Sequence, residues 1–203
     1  FLPSWHVWCR CVSHPILENE LFPGAWNGLM KRVFMVLTCC LVSVTDASAQ
    51  SEAHTDYLRT VAKFFSLPAN EVAILGDWQL EADEIPVVLF VARRAGVSPE
   101  ALVALRSAGQ SWVKLTGQYR VKAPALYVPV RDDVPAGALE GAYQQFRGAP
   151  VSGWGDIKLT DPHIIGLVNL RVISQSLGLS AEQVLGETSN GLTYVELHAQ
   201  LSR

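Results

Sequence analysis

Among the titratable residues that follow residue 49, His163 has the neighbours most suggestive of catalysis. Asp161 stands two residues before it, and this pair would form an enzyme site if a carboxylate from a loop joined them. The same residues also fit a helix start at which Thr160 or Asp161 is the cap. No second histidine lies four residues away, as it does in metal-binding helices, so we expect no metal and no cofactor.

Other signatures of catalysis are missing from the sequence. It contains no Gly-x-Ser-x-Gly motif and no glycine-rich phosphate-binding loop. The acidic pairs Asp83–Glu84 and Asp132–Asp133 have the pattern of solvated surface charges, and only an apolar pocket would raise one pKa toward that of a general acid. No catalytic residue is therefore predicted, and a non-enzymatic protein is favoured over an enzyme.

The N-terminal part of the chain has the layout of a secretory signal peptide. Met-Lys-Arg at 30–32 precedes an apolar run over 33–44, and Ala-Ser-Ala at 47–49 supplies the small residues that a signal peptidase accepts. Residues 30–49 are expected to be removed by cleavage after Ala49. Residues 1–29, which do not begin with Met, are expected to be an upstream extension that does not fold.

Export would leave a chain without cysteine, because all four cysteines precede residue 50. Such a chain has no disulfide and must be held by hydrophobic burial. Two alternatives exist for these cysteines. Cys9 and Cys11 would supply too few ligands for a closed zinc site, and acylation of Cys39 or Cys40 as in a lipoprotein is disfavoured because Thr38 is not a small enough neighbour.

Charge and hydropathy restrict the partners. The sequence has 16 basic and 19 acidic residues, a net charge of −3, and no basic excess of the kind that nucleic-acid binders show. Beyond the leader, no apolar run reaches the roughly 20 residues that cross a bilayer. We therefore expect an exported protein, periplasmic or extracellular, that binds a protein or another envelope component and has no nucleic-acid ligand and no membrane span.

Two parts of the chain are related by an offset of 82 residues. The sequence GVSPE at 96–100 aligns with GLSAE at 178–182, and GQSWVKL at 109–115 aligns with GLTYVEL at 191–197. In both copies a glycine of positive φ should end a helix and a hydroxyl residue should cap the next one. The predicted turn and cap residues are Gly96, Ser98, Gly109, Ser111, Gly178, Ser180, Gly191 and Thr193.

Helical spacing of apolar residues before each first glycine predicts an all-α fold of two related three-helix units joined by a Pro/Gly-rich connector. Trp112 and Tyr194 are expected to anchor the last helix of each unit. The predicted organisation is helical unit 1 at 50–121 with an N-terminal helical pair at 53–65 and 69–77, a connector with one helix at 122–159, and helical unit 2 at 160–203.

The connector is the segment expected to carry specificity, because the two units use their own residues for core and caps. A helix is predicted over 136–146, an extended run over 126–130 and a turn over 152–155. Tyr143, Phe146 and Trp154 would supply a binding surface there. The alternative is that these three aromatic residues cover the open end of a repeat.

Residues 111–126 provide the strongest competing interpretation. Their apolar residues resemble the frame of a helix-turn-helix, with Lys114, Arg120 and Lys122 as phosphate contacts. Export argues against DNA binding, and so does Pro124, which falls where a recognition helix should form. A cytoplasmic DNA-binding protein is therefore the alternative if the signal peptide is not used.

One resemblance supports the favoured interpretation. The sequence VNLRVIS at 168–174, together with the segments at 96–100 and 109–112, resembles motifs of uncharacterised exported bacterial proteins built of short helices. The resemblance implies export and helical-repeat architecture and brings no assigned activity. We expect a binding or interaction module of the bacterial envelope that acts through a groove between the units or through the connector.

Overall fold

A computed structural model describes residues 50–68, 70–188 and 191–203, so the expected extension and signal peptide lie outside the described residues. The regular structure of the described residues is helical and contains no strand, which confirms the predicted all-α class. Short 3-10 turns cover Ala82–Glu84, Gly137–Leu139 and Val151–Asp156. The helices are α1 (50–64), α2 (Glu71–Asp77), α3 (Ile85–Ala95), α4 (Pro99–Ser107), α5 (Trp112–Gln118), α6 (Ala123–Leu126), α7 (Glu140–Gly148), α8 (Asp161–Leu177), α9 (Ala181–Glu187) and α10 (Tyr194–Leu201).

Helices α3 and α8 pack against each other at the centre of the fold. Every residue from Ile85 to Ala92 in α3 is buried, although an amphipathic helix would bury only one face. An uninterrupted apolar run of this kind is typical of a helix that is covered on all sides. Helices α4 and α8 and the turn at 82–84 contact α3.

Equivalent turns end the two central helices. Gly96 ends α3 with φ of 69°, and Gly178 ends α8 with φ of 67°, a left-handed conformation that glycine adopts without a steric penalty. Gly109 and Gly191 also have positive φ, 84° and 70°. The hydroxyl groups of Ser98, Ser111, Ser180 and Thr193 each accept a hydrogen bond from the backbone amide three residues further on.

The connector is folded onto the central helices. Arg171 of α8 donates hydrogen bonds to the carbonyl oxygens of Ala125 at 3.0 Å and Tyr127 at 2.8 Å, which fixes α6 and the chain after it. The predicted helix over 136–146 begins as a 3-10 turn and continues as α7 to Gly148. The predicted turn at 152–155 lies within a longer 3-10 turn. The predicted extended run spans 126–130, but Leu126 is the last residue of α6, and residues 127–130 form neither helix nor strand.

Candidate functional site

The aromatic residues predicted for binding lie in one cluster on the connector. Tyr143 and Phe146 are 1 % and 2 % exposed, and the Tyr143 hydroxyl donates to the Val128 carbonyl at 2.7 Å. Trp154 is half-buried, and its indole N–H points to the carbonyl oxygens of Phe146 and Ala149 at 3.0 and 3.1 Å. Most of this aromatic surface is therefore used for packing, and a ligand role for it stays a prediction.

Asp161 and His163 hold helix starts in place. The two carboxylate oxygens of Asp161 accept the backbone N–H groups of Trp112 and Val113 at 2.9 and 2.8 Å, at the beginning of α5. The His163 ring nitrogen Nδ1 accepts the Thr160 N–H at 3.4 Å, which closes a reciprocal cap at the start of α8. Burial lowers the pKa of His163. Both side chains thus have structural partners, and a catalytic role for them stays a prediction.

Asp83 caps the start of α10 in the same way as Asp161 caps the start of α5. Its Oδ2 atom accepts the backbone N–H of Tyr194 at 3.3 Å. Burial raises the pKa of Asp83, and the backbone amides of Tyr194 and Val195 partly oppose that shift. Asp83 thus lies just before α3 and caps α10, whereas Asp161 begins α8 and caps α5. No sequence signal identifies this exchange, because more than 40 residues separate each aspartate from the helix it caps.

The prediction that Asp83 and Glu84 are solvated surface charges is wrong for Glu84, which is buried. Its residue exposure is 7 %, and its Oε1 atom accepts hydrogen bonds from Arg106 at 2.6 and 3.0 Å and from the Trp112 indole at 3.0 Å. Burial of the carboxylate is tolerated because two donors, one of them cationic, satisfy it. The hydrogen bond to Glu84 holds Trp112 in place. Trp112, the residue predicted to anchor α5, is fully buried.

A second buried polar group lies on α8. Asn169 is 0 % exposed, and its amide donates to the carbonyl oxygens of Asp83 and Ile165 at 2.8 Å each. The Tyr57 hydroxyl of α1 donates to the Asn169 carbonyl oxygen. The His198 ring of α10 lies 3.0 Å from the Thr60 hydroxyl, and burial lowers its pKa. These contacts join α1 to α8 and α10 to α1.

A groove of about 250 Å³ lies where α5, α6 and residues 155–159 of the connector meet the start of α8. Gly117 forms part of its α5 side, and a Cβ added there would have no atom within 4 Å. Val113 on the same helix is 47 % exposed, an unusual degree for a large apolar residue in this fold. The lining residues are Val113, Thr116, Gly117, Val121, Lys122, Ala123, Gly155, Ile157, Lys158, Leu159 and Ile164.

Two of the residues that line this groove are basic. Lys122 and Lys158 line it and are exposed, and Lys114 and Arg120 are exposed neighbours of the lining residues Val113 and Val121. Among the described residues, none of these four cations forms an ion pair. Sequence analysis singled out three of them as phosphate contacts but missed Lys158, because only the fold brings the connector beside α5.

A second cavity, of about 360 Å³, lies between the start of α1, the turn at 82–84 and α10. It is acidic, since Glu81, Asp83 and Glu196 line it. Asp83 caps α10, and a Glu196 carboxylate oxygen accepts the Thr193 N–H and hydroxyl at 2.9 Å each. These two carboxylates therefore have structural partners, in contrast to the cations of the groove.

The described residues offer neither a cluster of metal ligands nor a single membrane-spanning helix. No group of three His, Cys, Asp or Glu side chains within 50–68, 70–188 and 191–203 is arranged to hold a metal ion. In that part of the chain no single helix has the length and apolar character needed to cross a membrane. Helices α8 and α9 reach that length and apolar character only together, and they are bent by 117° relative to each other.

Comparison of the chain with protein-family models, with curated proteins and with solved structures gives no match. The resemblance to exported helical proteins stays a prediction. Function is therefore inferred from the side chains and cavities of the chain itself.

Proposed function

We propose that this chain is an exported helical binding protein without catalytic activity, and that its ligand site is the groove lined by α5, α6 and residues 155–159. One observation carries the proposal: an apolar concavity lies beside exposed cations that have no partner within the described residues. Concave apolar surfaces with a few polar groups are the usual form of binding sites. The ligand is a protein or another component of the bacterial envelope.

The lining of the groove favours binding over catalysis. It contains no histidine, cysteine or carboxylate, which are the usual general acids, bases and metal ligands. Its one hydroxyl, on Thr116, donates to the Trp112 carbonyl at 2.8 Å and has no adjacent base. The enzyme alternative at Asp161 and His163 is less well supported, because backbone amides bind both carboxylate oxygens of Asp161 and the Nδ1 atom of His163.

We also infer that the described residues contain two related helical units. Two features support the relation: the matching glycine turns after α3 and α8, and the exchange of aspartate caps between the halves. Asp161 binds the amides of Trp112 and Val113, and Asp83 binds the amide of Tyr194, which is the counterpart of Trp112 at the offset of 82 residues. The groove lies where unit 1, the connector and unit 2 meet.

Export is a separate part of the proposal and rests on the layout of residues 30–49. Mass spectrometry of the protein recovered from the periplasm or the medium should find a chain that begins at Gln50, with or without cyclisation to pyroglutamate. A protein that keeps residues 30–49, or that stays in the cytosolic fraction, would contradict export. That result would favour the DNA-binding alternative.

Replacing Gly117 with leucine tests the groove. The side chain would fill the open space beside α5, and removing a helical glycine does not strain the backbone. We expect the purified wild-type protein to capture a component from envelope extracts, and the Gly117→Leu protein to capture at least about tenfold less, the loss that 1.4 kcal/mol of binding energy produces. Capture is measured by quantitative mass spectrometry.

Gly186 supplies the matched control. It lies in α9, and a Cβ there also has no atom within 4 Å, so Gly186→Leu adds the same side chain to an open helix surface away from the groove. This variant should capture as much as the wild type. Equal capture by the Gly117→Leu and Gly186→Leu proteins would refute the groove as the ligand site.

A further inference from the structure

We infer that the groove binds an acidic peptide segment, which places one apolar side chain between α5 and residues 155–159 and its carboxylates against Lys122 and Lys158. This inference rests on the proposed function and names the class of its ligand. Three features support it: the size of the groove, its unpaired positive charge and the hydrogen bonds that order its walls.

The size of the groove indicates a single side chain. Its volume of about 250 Å³ is below the roughly 300–1,000 Å³ of sites that enclose a whole small molecule. Among its lining residues, Val121 and Ala123 are buried, and Val113 leaves nearly half of its surface exposed. An aliphatic side chain of a bound segment would cover that exposed surface.

The charge around the groove indicates a ligand with carboxylates. Elsewhere in the fold, Arg59, Arg106, Arg131 and Arg147 lie within 4 Å of acidic side chains. Arg93 and Arg171 donate to backbone carbonyl oxygens instead. Lys63, Arg94 and Arg203 form no ion pair with a described residue either. Lys122 and Lys158 at the groove, like Lys114 and Arg120 beside lining residues in sequence, have no acidic side chain so close among the described residues, although the chain as a whole carries 19 acidic residues and a net charge of −3. Asp156, the acidic residue closest in sequence to Lys158, forms no ion pair with a described residue either.

The Lys122 side chain extends toward Gly155. Its ammonium nitrogen lies 3.6 Å from the position that a Cβ atom would have at Gly155. Lys158 lines the groove three residues after Gly155 on the same segment. Carboxylates on either side of a bound apolar residue would meet these two charges, an arrangement that supplies orientation and fast association.

The walls of the groove are held without a ligand. The Gln145 side chain binds both backbone groups of Lys158, at 3.2 Å to its N–H and 3.0 Å to its carbonyl. At the end of α5, the Val121 N–H donates to the Thr116 carbonyl at 2.8 Å. A surface that is already ordered loses little conformational entropy when a ligand binds, so a short segment is sufficient for measurable affinity.

A peptide fits these features better than a nucleic acid or a membrane. Nucleic-acid binding depends on many phosphate contacts and a basic excess, whereas this chain is acidic overall. Anchoring to an anionic bilayer needs a broad apolar face, whereas the groove accepts one side chain. Both other ligands are included as outcomes of the test.

The test uses a fluorescein-labelled peptide with the sequence Glu-Asp-Glu-Leu-Asp-Glu and measures fluorescence anisotropy with the purified protein. We expect saturable binding that weakens with added salt, and at least about tenfold weaker binding to a Lys122→Glu/Lys158→Glu protein, because both attractive charges become repulsive. The milder Lys122→Gln/Lys158→Gln protein should show a smaller loss. Lys63→Glu, which reverses an exposed lysine of α1, should bind like the wild type.

Two further peptides separate the contributions of charge and apolar contact. Replacing leucine by glycine in the peptide should weaken binding, and replacing its acidic residues by lysine should abolish it. Unchanged affinity in the double Glu variant, absence of peptide binding, or tighter binding of duplex DNA or of phosphatidylglycerol vesicles would overturn the inference. If capture from extracts is lost in Gly117→Leu but insensitive to the lysine reversals, the groove stands as a binding site and only the acidic ligand is wrong.

Discussion

Replacing Glu84 with alanine is expected to lower the free energy of unfolding by about 3 kcal/mol, the lower end of the range for breaking a buried ion pair. The carboxylate is the shared acceptor for Arg106 and for the Trp112 indole, so its removal leaves both donors without that partner. The lower end applies because the Arg106 side chain is 24 % exposed and water can partly replace the lost contact. Urea unfolding followed by circular dichroism measures the change.

Two control variants distinguish lost hydrogen bonding from a general effect of substitution. Glu84→Gln keeps an oxygen acceptor for the indole and should lose less stability than Glu84→Ala. Glu81→Ala removes a nearby exposed carboxylate and should change stability by no more than about 0.5 kcal/mol. A Glu84→Ala protein as stable as the Glu81→Ala protein would show that the buried carboxylate contributes nothing.

Local features of the fold were predictable from the sequence because their causes are local. A glycine followed two residues later by serine indicates the end of one helix and the cap of the next, and Gly96 and Ser98 have those conformations. The all-α class follows from the same punctuation and from the apolar spacing. The ends of the helices before and after such turns differ from the predictions by only a few residues, as for α7.

Long-range features were not predictable, because nothing in the local sequence says which distant group will be nearby. Glu84 has the neighbours of a surface residue, yet Arg106 and Trp112 bury it. The groove depends in the same way on the fold, since Lys158 of the connector joins α5 only in three dimensions. Sequence reasoning predicted that the connector carries specificity and assigned that role to aromatic residues that are mainly packed, so the prediction stays open.

Gly166→Ala is expected to lower the free energy of unfolding by about 2 kcal/mol, within the range measured for overpacked cores. Gly166 is buried in α8, where an added Cβ would lie 2.5 Å from the Leu139 Cδ2 atom and 2.6 Å from the Tyr194 hydroxyl. Alanine in a helix gains up to about 1 kcal/mol over glycine, so this steric cost must exceed the gain in helix propensity. The leucine can adjust its terminal methyl groups more easily than the tyrosine can move its ring.

Two comparisons test whether contact, and not helix propensity, decides the result. At Gly186, where a Cβ meets no atom within 4 Å, the same substitution should instead stabilise the protein, by up to about 1 kcal/mol. A Gly166→Ala/Tyr194→Phe double variant removes the oxygen that the new methyl group meets, and it should recover part of the lost stability. Opposite signs at the two glycines would show that α8 needs its glycine so that the Gly137–Leu139 turn and α10 can approach it closely; stabilisation at both positions would exclude that explanation.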